Sequence, residues 1–221
     1  MPTPSPARLR GFVRRHTRLT PVPGLPGIRV HTADDVMALC RLAGRELGQA
    51  DPPLPFWAFP WAGGLAVARY LVDHADEVTG RDVLDVAAGS GLCGIVAMRS
   101  GARAVSAVDI DPLAEAAVAL NARANGVRID FARRDLLTDP PPDYAVILAG
   151  DVCYEERMAA RMVDWLRIAA RRGARVLLGD PGRTYLPADL VCLATYVVET
   201  TCELEDRAVK PSAVYTIRAE P

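Results

Sequence analysis

The sequence is short of cysteine, histidine and long hydrophobic runs, and each shortage excludes a class of protein. Its five cysteines form no CxxC pair, and the chain shows no secretion signal, so we expect a protein of the reducing cytoplasm. No apolar run approaches the ~18 residues of a membrane-spanning helix, so we expect no membrane partner. The histidines lie far apart, so we expect no histidine metal site and no metal cofactor. They are His16, His31 and His74.

Neither sign of charge dominates the chain as a whole. The 26 basic and 27 acidic residues give a formal net charge of −1, so we expect no nucleic-acid partner. Residues 1–33 differ, with six arginines and no acid, a pattern that is typical of a mitochondrial presequence. Six prolines in the same segment interrupt a continuous amphipathic helix. We therefore predict a flexible tail over residues 1–10 and keep the matrix as the alternative location.

Two helices are predicted before residue 80. Thr32 is interpreted as the cap of a helix that ends at Gly48, with Asp35 three residues further on. A Pro- and Trp-rich loop follows, and then a second helix over residues 64–74.

Strand-like and helix-like segments alternate from residue 82 onward. The strand candidates are VLDVAA, AVSAVDI, residues 128–132, YAVILAG and RVLLGD, and the helix candidates are residues 92–100, 112–125, 155–172 and 187–195. Such alternation predicts an α/β fold, a mainly parallel sheet with helices on both faces. Two final strand-like runs, over residues 196–203 and 213–218, predict an antiparallel C-terminal hairpin.

A glycine-rich turn, Gly89-x-Gly91-x-x-Gly94, follows the first strand of this series. Glycines allow a ligand to approach the backbone, and the start of the next helix offers free N–H groups. Asp109, 20 residues after Gly89, suits the hydroxyls of a ribose, which dinucleotides and S-adenosylmethionine (SAM) both contain. Asp85, inside the strand, can accept hydrogen bonds from a cationic amino group, which a pyrophosphate lacks. Asp85 therefore favours SAM, while a dinucleotide stays the alternative.

Further acids follow other strands. Asp135 is interpreted either as an acceptor for an adenine amino group or as a turn cap, and Asp111 as the N-cap of a helix. In AGDVCYEE, Asp151 and Tyr154 come at the end of YAVILAG, where they either hold a ligand or serve as a helix cap and a packing residue. Asp180 and Arg183 of GDPGR are expected to border the same mouth.

Nine blocks carry a family resemblance: HTRLT, PFWAFPWAGG, ARYLVDH, VLDVAAGSGL, AVDIDPLA, LNARANGV, LAGDVCYE, LLGDPGRTYLP and ELEDRAVK. In them the chain resembles the class I, seven-β-strand SAM-dependent methyltransferases, and more narrowly the bacterial electron transfer flavoprotein β-subunit lysine methyltransferases. The resemblance implies a Rossmann-like sheet of seven strands, SAM as cofactor with S-adenosylhomocysteine as product, and a protein substrate, the flavoprotein β-subunit. It also implies one domain, in which an arm of helices and loop (residues 11–80) packs on a SAM-binding core (residues 81–221).

The resemblance also assigns roles to matching residues. It places SAM against Trp61, Gly89, Ser90, Gly91, Asp109, Asp135 and Leu136, and the substrate amine beside Asp151 and Tyr154. To the cofactor-binding set we add Asp85, for its ability to accept from a cationic amino group, and Gly150, for its position at the end of YAVILAG. Two positions depart from the family pattern, Leu65 and Cys153.

Methyl transfer needs a neutral amine held in line with an activated methyl group, and little acid–base work. A carboxylate favours the ammonium form of a lysine, so we interpret Asp151 as a residue that orients the amine rather than as a general base. Three other hypotheses stay open: methylation of a small amine or natural product, an NAD-dependent oxidoreductase, and a non-catalytic SAM-binding protein. The acidic run ELED, residues 203–206, is interpreted as a solvated face or an attraction for a lysine-bearing partner.

Overall fold

A computed structural model describes residues 4–200 and 209–218 of the chain. The α-helices within these ranges are α1 Pro6–His16, α2 Val36–Leu47, α3 Ala62–Asp73, α4 Leu92–Arg99, α5 Pro112–Ala124 and α6 Glu156–Arg171. The strands are β1 Arg18–Pro21, β2 Arg29–Thr32, β3 Asp82–Val86, β4 Ala104–Asp109, β5 Asp130–Arg133, β6 Val146–Gly150, β7 Arg175–Asp180, β8 Val191–Glu199 and β9 Val209–Thr216. Within this part of the chain, none of the helices has both the length and the apolar character that crossing a membrane requires. The ELED run lies outside the described residues.

Seven strands form the main sheet, in the order β5-β4-β3-β6-β7-β9-β8. Strands β3 to β7 are parallel, whereas β9 runs antiparallel to both β7 and β8. The predicted fold class is therefore confirmed, including the antiparallel C-terminal pair. The chain leaves β3 toward β4 on one side and later returns to β6 on the other. This reversal of strand order opens a crevice at the carboxyl ends of β3, β4 and β6, where such sheets bind ligands.

Helices cover both faces of the sheet, as expected for parallel strands. Helices α3 and α4 bury apolar side chains such as Leu65 and Ile95 against one face, and α6 buries Val163 and Leu166 against the other. Leu65, one of the two departures from the family pattern, is fully buried in this core. Because α3 belongs to the arm and shares a core with the sheet, the arm and the sheet fold around common apolar side chains.

The predicted flexible tail is wrong for residues 6–10, which belong to α1. Pro6 stands at the first helical position, where a missing N–H costs nothing. Ser5 caps the helix by accepting a hydrogen bond from the Arg8 N–H. Leu9 and Phe12 are buried in a third apolar cluster, which also contains residues of α2 and α5. Pro6 therefore starts this helix rather than preventing it. Residues 1–3 lie outside the described part of the chain.

Two further predictions of secondary structure are wrong. Thr32 ends strand β2, which pairs with β1, and Asp35 is the residue that caps α2, accepting from the Ala38 N–H. Residues 187–195 were expected to be helical, but the edge strand β8 begins at Val191. Strand β8 contains four β-branched residues and a tyrosine, which favour a strand, and its pairing with β9 settles the outcome.

Candidate active site

A cavity of about 790 Å³ opens in the crevice at the carboxyl ends of the parallel strands. It brings together nearly all of the residues that the sequence predicted. The lining includes Trp61, Asp85, Gly89, Ser90, Asp109, Asp135, Leu136, Gly150, Asp151 and Tyr154. Parallel strands present the residues that follow them at one edge, so side chains far apart in sequence meet here.

The glycine turn supplies backbone to the cavity at Gly89 but not at Gly91. Gly89 has a positive φ of 51° and lines the cavity. Gly91 is the N-cap of α4 with a φ of 75°, and it is not among the lining residues. A Cβ at Gly91 would lie 3.0 Å from the Val118 side chain, so this glycine is required by the close packing of α4 on α5. Gly91 stays a predicted cofactor-binding residue, and its positive φ and its contact with Val118 give it a structural role as well.

Asp109 joins the glycine turn to the end of β4. Its Oδ2 accepts a hydrogen bond from the Gly89 N–H (2.9 Å) and its Oδ1 accepts one from the Asp111 N–H (3.0 Å). Burial raises the pKa of the Asp109 carboxyl, and these N–H donors oppose the rise. Asp111 caps α5 by accepting from the Leu113 N–H at 2.7 Å, so its interpretation as an N-cap is confirmed.

Asp85 is a buried acid at the floor of the cavity. It is 2% exposed, and its Oδ2 accepts a hydrogen bond from the Gly94 N–H at 2.9 Å. Burial, with a further contribution from the charge of Asp109, raises the pKa of Asp85 to about 7. A cationic group placed in the cavity beside Asp85 would stabilise the charged carboxylate. This position therefore fits the ammonium group of an amino-acid moiety.

Asp135 and Leu136 lie on another wall of the cavity. Asp135 caps a short 3₁₀ turn by accepting from the Leu137 N–H (2.9 Å), and it lies 3.6 Å from Arg161 in an ion pair. The interpretation of Asp135 as a turn cap is thus confirmed, although the residue also lines the cavity. Leu136 is buried and offers an apolar surface for a planar ring.

Trp61 lies at the N-terminus of α3 and is fixed by the Trp-rich loop. Its indole N–H donates to the Phe56 carbonyl oxygen at 2.8 Å. Its ring meets the rings of Phe56 and Phe59 edge-on, with centroids 5.6 and 6.1 Å away. These contacts hold an aromatic surface at the cavity. Trp57, by contrast, is 1% exposed and belongs mainly to the core.

Asp151 has a positive φ of 56°, which is unusual for a residue with a side chain. Its N–H donates to the Gly179 carbonyl at 2.9 Å. Its Oδ2 accepts from the Gly64 N–H and its Oδ1 from the Arg183 guanidinium, both at 2.8 Å. Burial raises the pKa of Asp151, while Arg183 and the N–H groups of the α3 terminus lower it.

Asp151 is not the cap of α6, as its alternative interpretation proposed, because Glu155 fills that place. The Glu155 carboxylate accepts from the Arg157 and Met158 N–H groups. Asp151 instead interacts with the free N–H groups at the start of α3, whose own N-cap residue, Trp61, makes no side-chain cap bond.

Four glycines allow α3 to approach the sheet this closely. A Cβ at Gly179 would lie 2.1 Å from the Gly63 carbonyl oxygen, and a Cβ at Gly150 would lie 2.8 Å from the Gly64 Cα. The amino end of α3 therefore rests on the ends of β6 and β7. Gly150 lines the cavity as predicted, and the structure gives it a second role in this contact.

Tyr154 stands at the rim of the cavity and is 47% exposed. Its ring lies 5.1 Å from the ring of Phe56, centroid to centroid. Tyr154 is therefore not buried in the core, although it packs on Phe56 as its alternative interpretation expected. Together with Phe56 it forms an aromatic edge of the cavity that Asp151 also lines. Phe56 was not predicted from the sequence, since nothing in its local pattern distinguishes it from a packing residue of the loop.

Arg183 is the site residue whose partner the sequence did not reveal. Asp180 is fully buried, and its Oδ1 accepts from the N–H groups of Gly182 and Arg183, each at 2.7 Å. This closes a tight turn after β7 and directs Arg183 toward Asp151. The GDPGR segment indicated a turn at a strand end, but not the ion pair between residues 32 positions apart.

Cys153, the second departure from the family pattern, is fully buried beside the site. Burial and the nearby charges of Asp180 and Asp151 raise the pKa of its thiol to about 12. Cys153 is therefore neutral at physiological pH and packs as a small apolar residue.

The chain is similar to known methyltransferases in sequence and in fold. Residues 70–152 match the family described as ribosomal protein L11 methyltransferase (PrmA). An electron transfer flavoprotein β-subunit lysine methyltransferase from Xenopus laevis is 33% identical over 214 residues, covering 94% of this chain and 86% of the relative. The protein of that name from Rattus norvegicus is 35% identical over 168 residues, covering 73% of this chain and 66% of the relative. A solved structure of a proposed RNA methyltransferase from Pyrococcus horikoshii aligns with a TM-score of 0.53 at 14% identity, covering 76% of this chain and 89% of that chain, and it bears on the fold alone.

Proposed function

The chain belongs to the family of electron transfer flavoprotein β-subunit lysine methyltransferases, and on this basis we propose that it methylates a lysine ε-amine of that subunit. It is a SAM-dependent methyltransferase. The NAD-dependent oxidoreductase and the non-catalytic SAM-binding protein that the sequence left open are both set aside by this membership.

The cavity fits SAM by the chemistry of its walls. Asp85 offers a buried carboxylate to an ammonium group, Asp109 offers acceptors to ribose hydroxyls, and Leu136 offers an apolar surface to adenine. Trp61 and Gly89 would complete the binding surface. When bound, SAM supplies a methyl group on a sulfonium, whose sulfur keeps the bonding electron pair and becomes the neutral thioether of S-adenosylhomocysteine.

One observation carries the assignment of the amine site. Asp151 is a buried acid, and it lines the same cavity as the half-exposed side chain of Tyr154 and the carboxylates of Asp85 and Asp109. A lysine side chain that enters past Tyr154 and Phe56 is shielded from water by the aromatic edge and meets the Asp151 carboxylate at its end. Asp151 then orients the amine by accepting its hydrogen bond.

The amine has to lose a proton to water before it can attack, because the ammonium has no lone pair. Its nitrogen then forms the new bond to the methyl carbon and becomes a methylammonium. Burial raises the pKa of Asp151, while Arg183 and the Gly64 N–H oppose the rise. Both carboxylate oxygens already accept hydrogen bonds from these donors. These contacts support the role of Asp151 as an orienting group rather than a base.

We also propose the cytoplasm as the location of the enzyme, on the basis of its few cysteines, which form no CxxC pair. The arginine-rich segment, which resembles a presequence, forms part of the packed helix α1. Imaging of the tagged full chain in its own cells tests this, and accumulation in an organelle would contradict it.

Labelled-methyl transfer into a cell lysate tests the proposed substrate class. We expect the label in a protein band that mass spectrometry identifies as the flavoprotein β-subunit. Label that appears in small molecules only would reject protein methylation and support the small-amine alternative. The Asp151→Asn variant, assayed in parallel, shows how much labelling depends on the proposed site.

A further inference from the structure

We propose that Arg183 is a positioning residue that prevents Asp151 from trapping the substrate lysine as an unreactive ammonium ion. This inference rests on the proposed function, since it concerns the amine that Asp151 is proposed to orient. It also explains how the amine can lose the proton that it has to lose before methyl transfer.

The first step is the ion pair itself. An Arg183 Nη2 lies 2.8 Å from the Asp151 Oδ1, and the two side chains are 22% and 10% exposed. Solvent and salt screen such a pair much less than a surface pair. The charge of Arg183 therefore acts on whatever approaches the Asp151 carboxylate from the cavity.

The second step is that the fold holds Arg183 in place. The turn after β7 is closed by the Asp180 carboxylate, which accepts from the backbone of Gly182 and Arg183. The Arg183 Nε lies 4.0 Å from the Asp180 Oδ2. The guanidinium thus lies near two buried carboxylates, Asp151 and Asp180. Asp151 lines the cavity, whereas Asp180 holds the turn.

The third step is the set of groups that face Asp151 from the surrounding elements. Helix α3 contributes the N–H groups of Gly63 and Gly64. Cys93 on α4 and Cys153 beside the site carry thiols whose pKa values are raised by burial, so both are neutral. Among the described residues, Arg183 supplies the positive charge that acts on Asp151. Asp180, the second carboxylate of the cluster, also has the charge of Lys210 nearby.

The consequence for the substrate follows from charge balance. An unpaired buried carboxylate would stabilise a lysine ammonium strongly and hold its proton. When Asp151 is paired with Arg183, the positive charge of the guanidinium partly cancels the negative charge that the substrate amine meets. The amine can still donate a hydrogen bond to it while giving up its other proton to water.

The test compares the pH dependence of kcat in the wild-type enzyme and the Arg183→Gln variant, with saturating SAM and purified electron transfer flavoprotein. Gln keeps an N–H donor for Asp151 and removes the charge. We expect the pH of half-maximal kcat to rise by about one unit. The kcat of the variant is then about tenfold below that of the wild type at acidic pH and equal to it at alkaline pH. Arg183→Lys should restore the wild-type profile.

A matched control is Arg167→Gln, which removes a charge from the surface pair with Asp189 and should leave the profile unchanged. A superimposable profile for Arg183→Gln, or an equal loss at every pH, would overturn the inference while the proposed function stands. A wild-type enzyme that labels no flavoprotein lysine would refute the proposed function, and this inference with it.

A second readout does not depend on turnover. Calorimetry in two buffers of different ionisation heat counts the protons released when the flavoprotein binds the enzyme loaded with S-adenosylhomocysteine. We expect the wild-type complex to release a larger fraction of a proton than the Arg183→Gln complex. Equal release would contradict the role of Arg183.

Discussion

Asp151 and Gly64 are joined by a hydrogen bond of 2.8 Å between the carboxylate Oδ2 and the backbone N–H. The bond connects the end of β6 with the first turn of α3, across 87 positions of sequence. Because Trp61 is the N-cap of the same helix, the proposed amine site and the proposed SAM site share one rigid support. A disturbance of the α3 terminus is therefore expected to reach both sites.

We expect Asp151→Asn to lose most turnover while it keeps its affinity for S-adenosylhomocysteine. The amide oxygen can still accept from the Gly64 N–H, so the support of α3 survives. The charge that faces Arg183 is lost, which we expect to cost about 1–3 kcal/mol of unfolding free energy. Kinetic assays and calorimetric titration measure the two effects separately. Loss of cofactor affinity together with turnover would mean that Asp151 holds the cofactor site instead.

Alanine substitution at two neighbouring glycines of α3 should destabilise the protein to very different extents. A Cβ at Gly63 would lie 2.2 Å from the Gly179 carbonyl oxygen, whereas a Cβ at Gly64 meets only Cys93 and Asp151 side-chain atoms at 3.8 and 3.9 Å. We expect Gly63→Ala to lower the free energy of unfolding, measured in urea, by about 3 kcal/mol or more. Gly64→Ala, as the matched control, should stay within about 1 kcal/mol of the wild type. Equal stability of the two variants would refute the close contact between α3 and β7.

Asp85 should make stability fall as the pH rises. Its folded-state pKa is about 7, above the ordinary value of 3.8. Between about pH 4 and pH 7 the folded protein therefore holds a proton that the unfolded chain has released, so unfolding becomes easier as the pH increases. Asp85→Asn removes this dependence, and we expect the variant to gain about 1 kcal/mol or more relative to wild type between pH 5 and pH 8. Urea unfolding at both pH values measures the difference. The same change in unfolding free energy between pH 5 and pH 8 in both proteins would contradict the raised pKa.

Asp85→Asn should also weaken SAM binding. The amide cannot form the charged contact proposed for the SAM ammonium group, so we expect a loss of about tenfold in affinity at pH 8. Titration calorimetry with SAM checks this. An unchanged dissociation constant would move the ammonium site away from Asp85.

Tyr154→Ala should affect the protein substrate more than the fold. The residue is 47% exposed, so we expect a change in unfolding free energy of about 0.5 kcal/mol or less. The loss of the ring that packs on Phe56 should raise KM for the flavoprotein severalfold. Tyr154→Phe keeps the ring and is the control for the hydroxyl group. A KM that stays at the wild-type value in Tyr154→Ala would exclude Tyr154 from the entry path.

The sequence predicted the parts of this fold that depend on local pattern. The alternation of strands and helices after residue 82 predicted the parallel sheet. The hydrogen bond between Gly89 and Asp109 was not predicted. The prediction failed at residues 6–10, because a proline at the first helical position favours the start of a helix. It failed again at residues 187–195, where pairing with β9 decides the conformation.

The contacts of Asp151 could not be predicted for a different reason. Gly64 precedes Asp151 in the sequence and contacts it because glycines let α3 pack closely on the sheet. Arg183 follows Asp151 and contacts it because of the tight turn after β7. Both contacts depend on the packed structure. The sequence predicted that Asp151 would lie at the site. It gave no sign that both oxygens of the carboxylate would already accept hydrogen bonds from the protein.

Mass spectrometry of the purified flavoprotein, after incubation with the enzyme and SAM, tests the central claim most directly. We predict a methyl group on a lysine ε-nitrogen of the β-subunit, formed by the wild-type enzyme and strongly reduced with Asp151→Asn. A β-subunit that stays unmodified, while the same enzyme preparation binds SAM and is folded, would contradict the account.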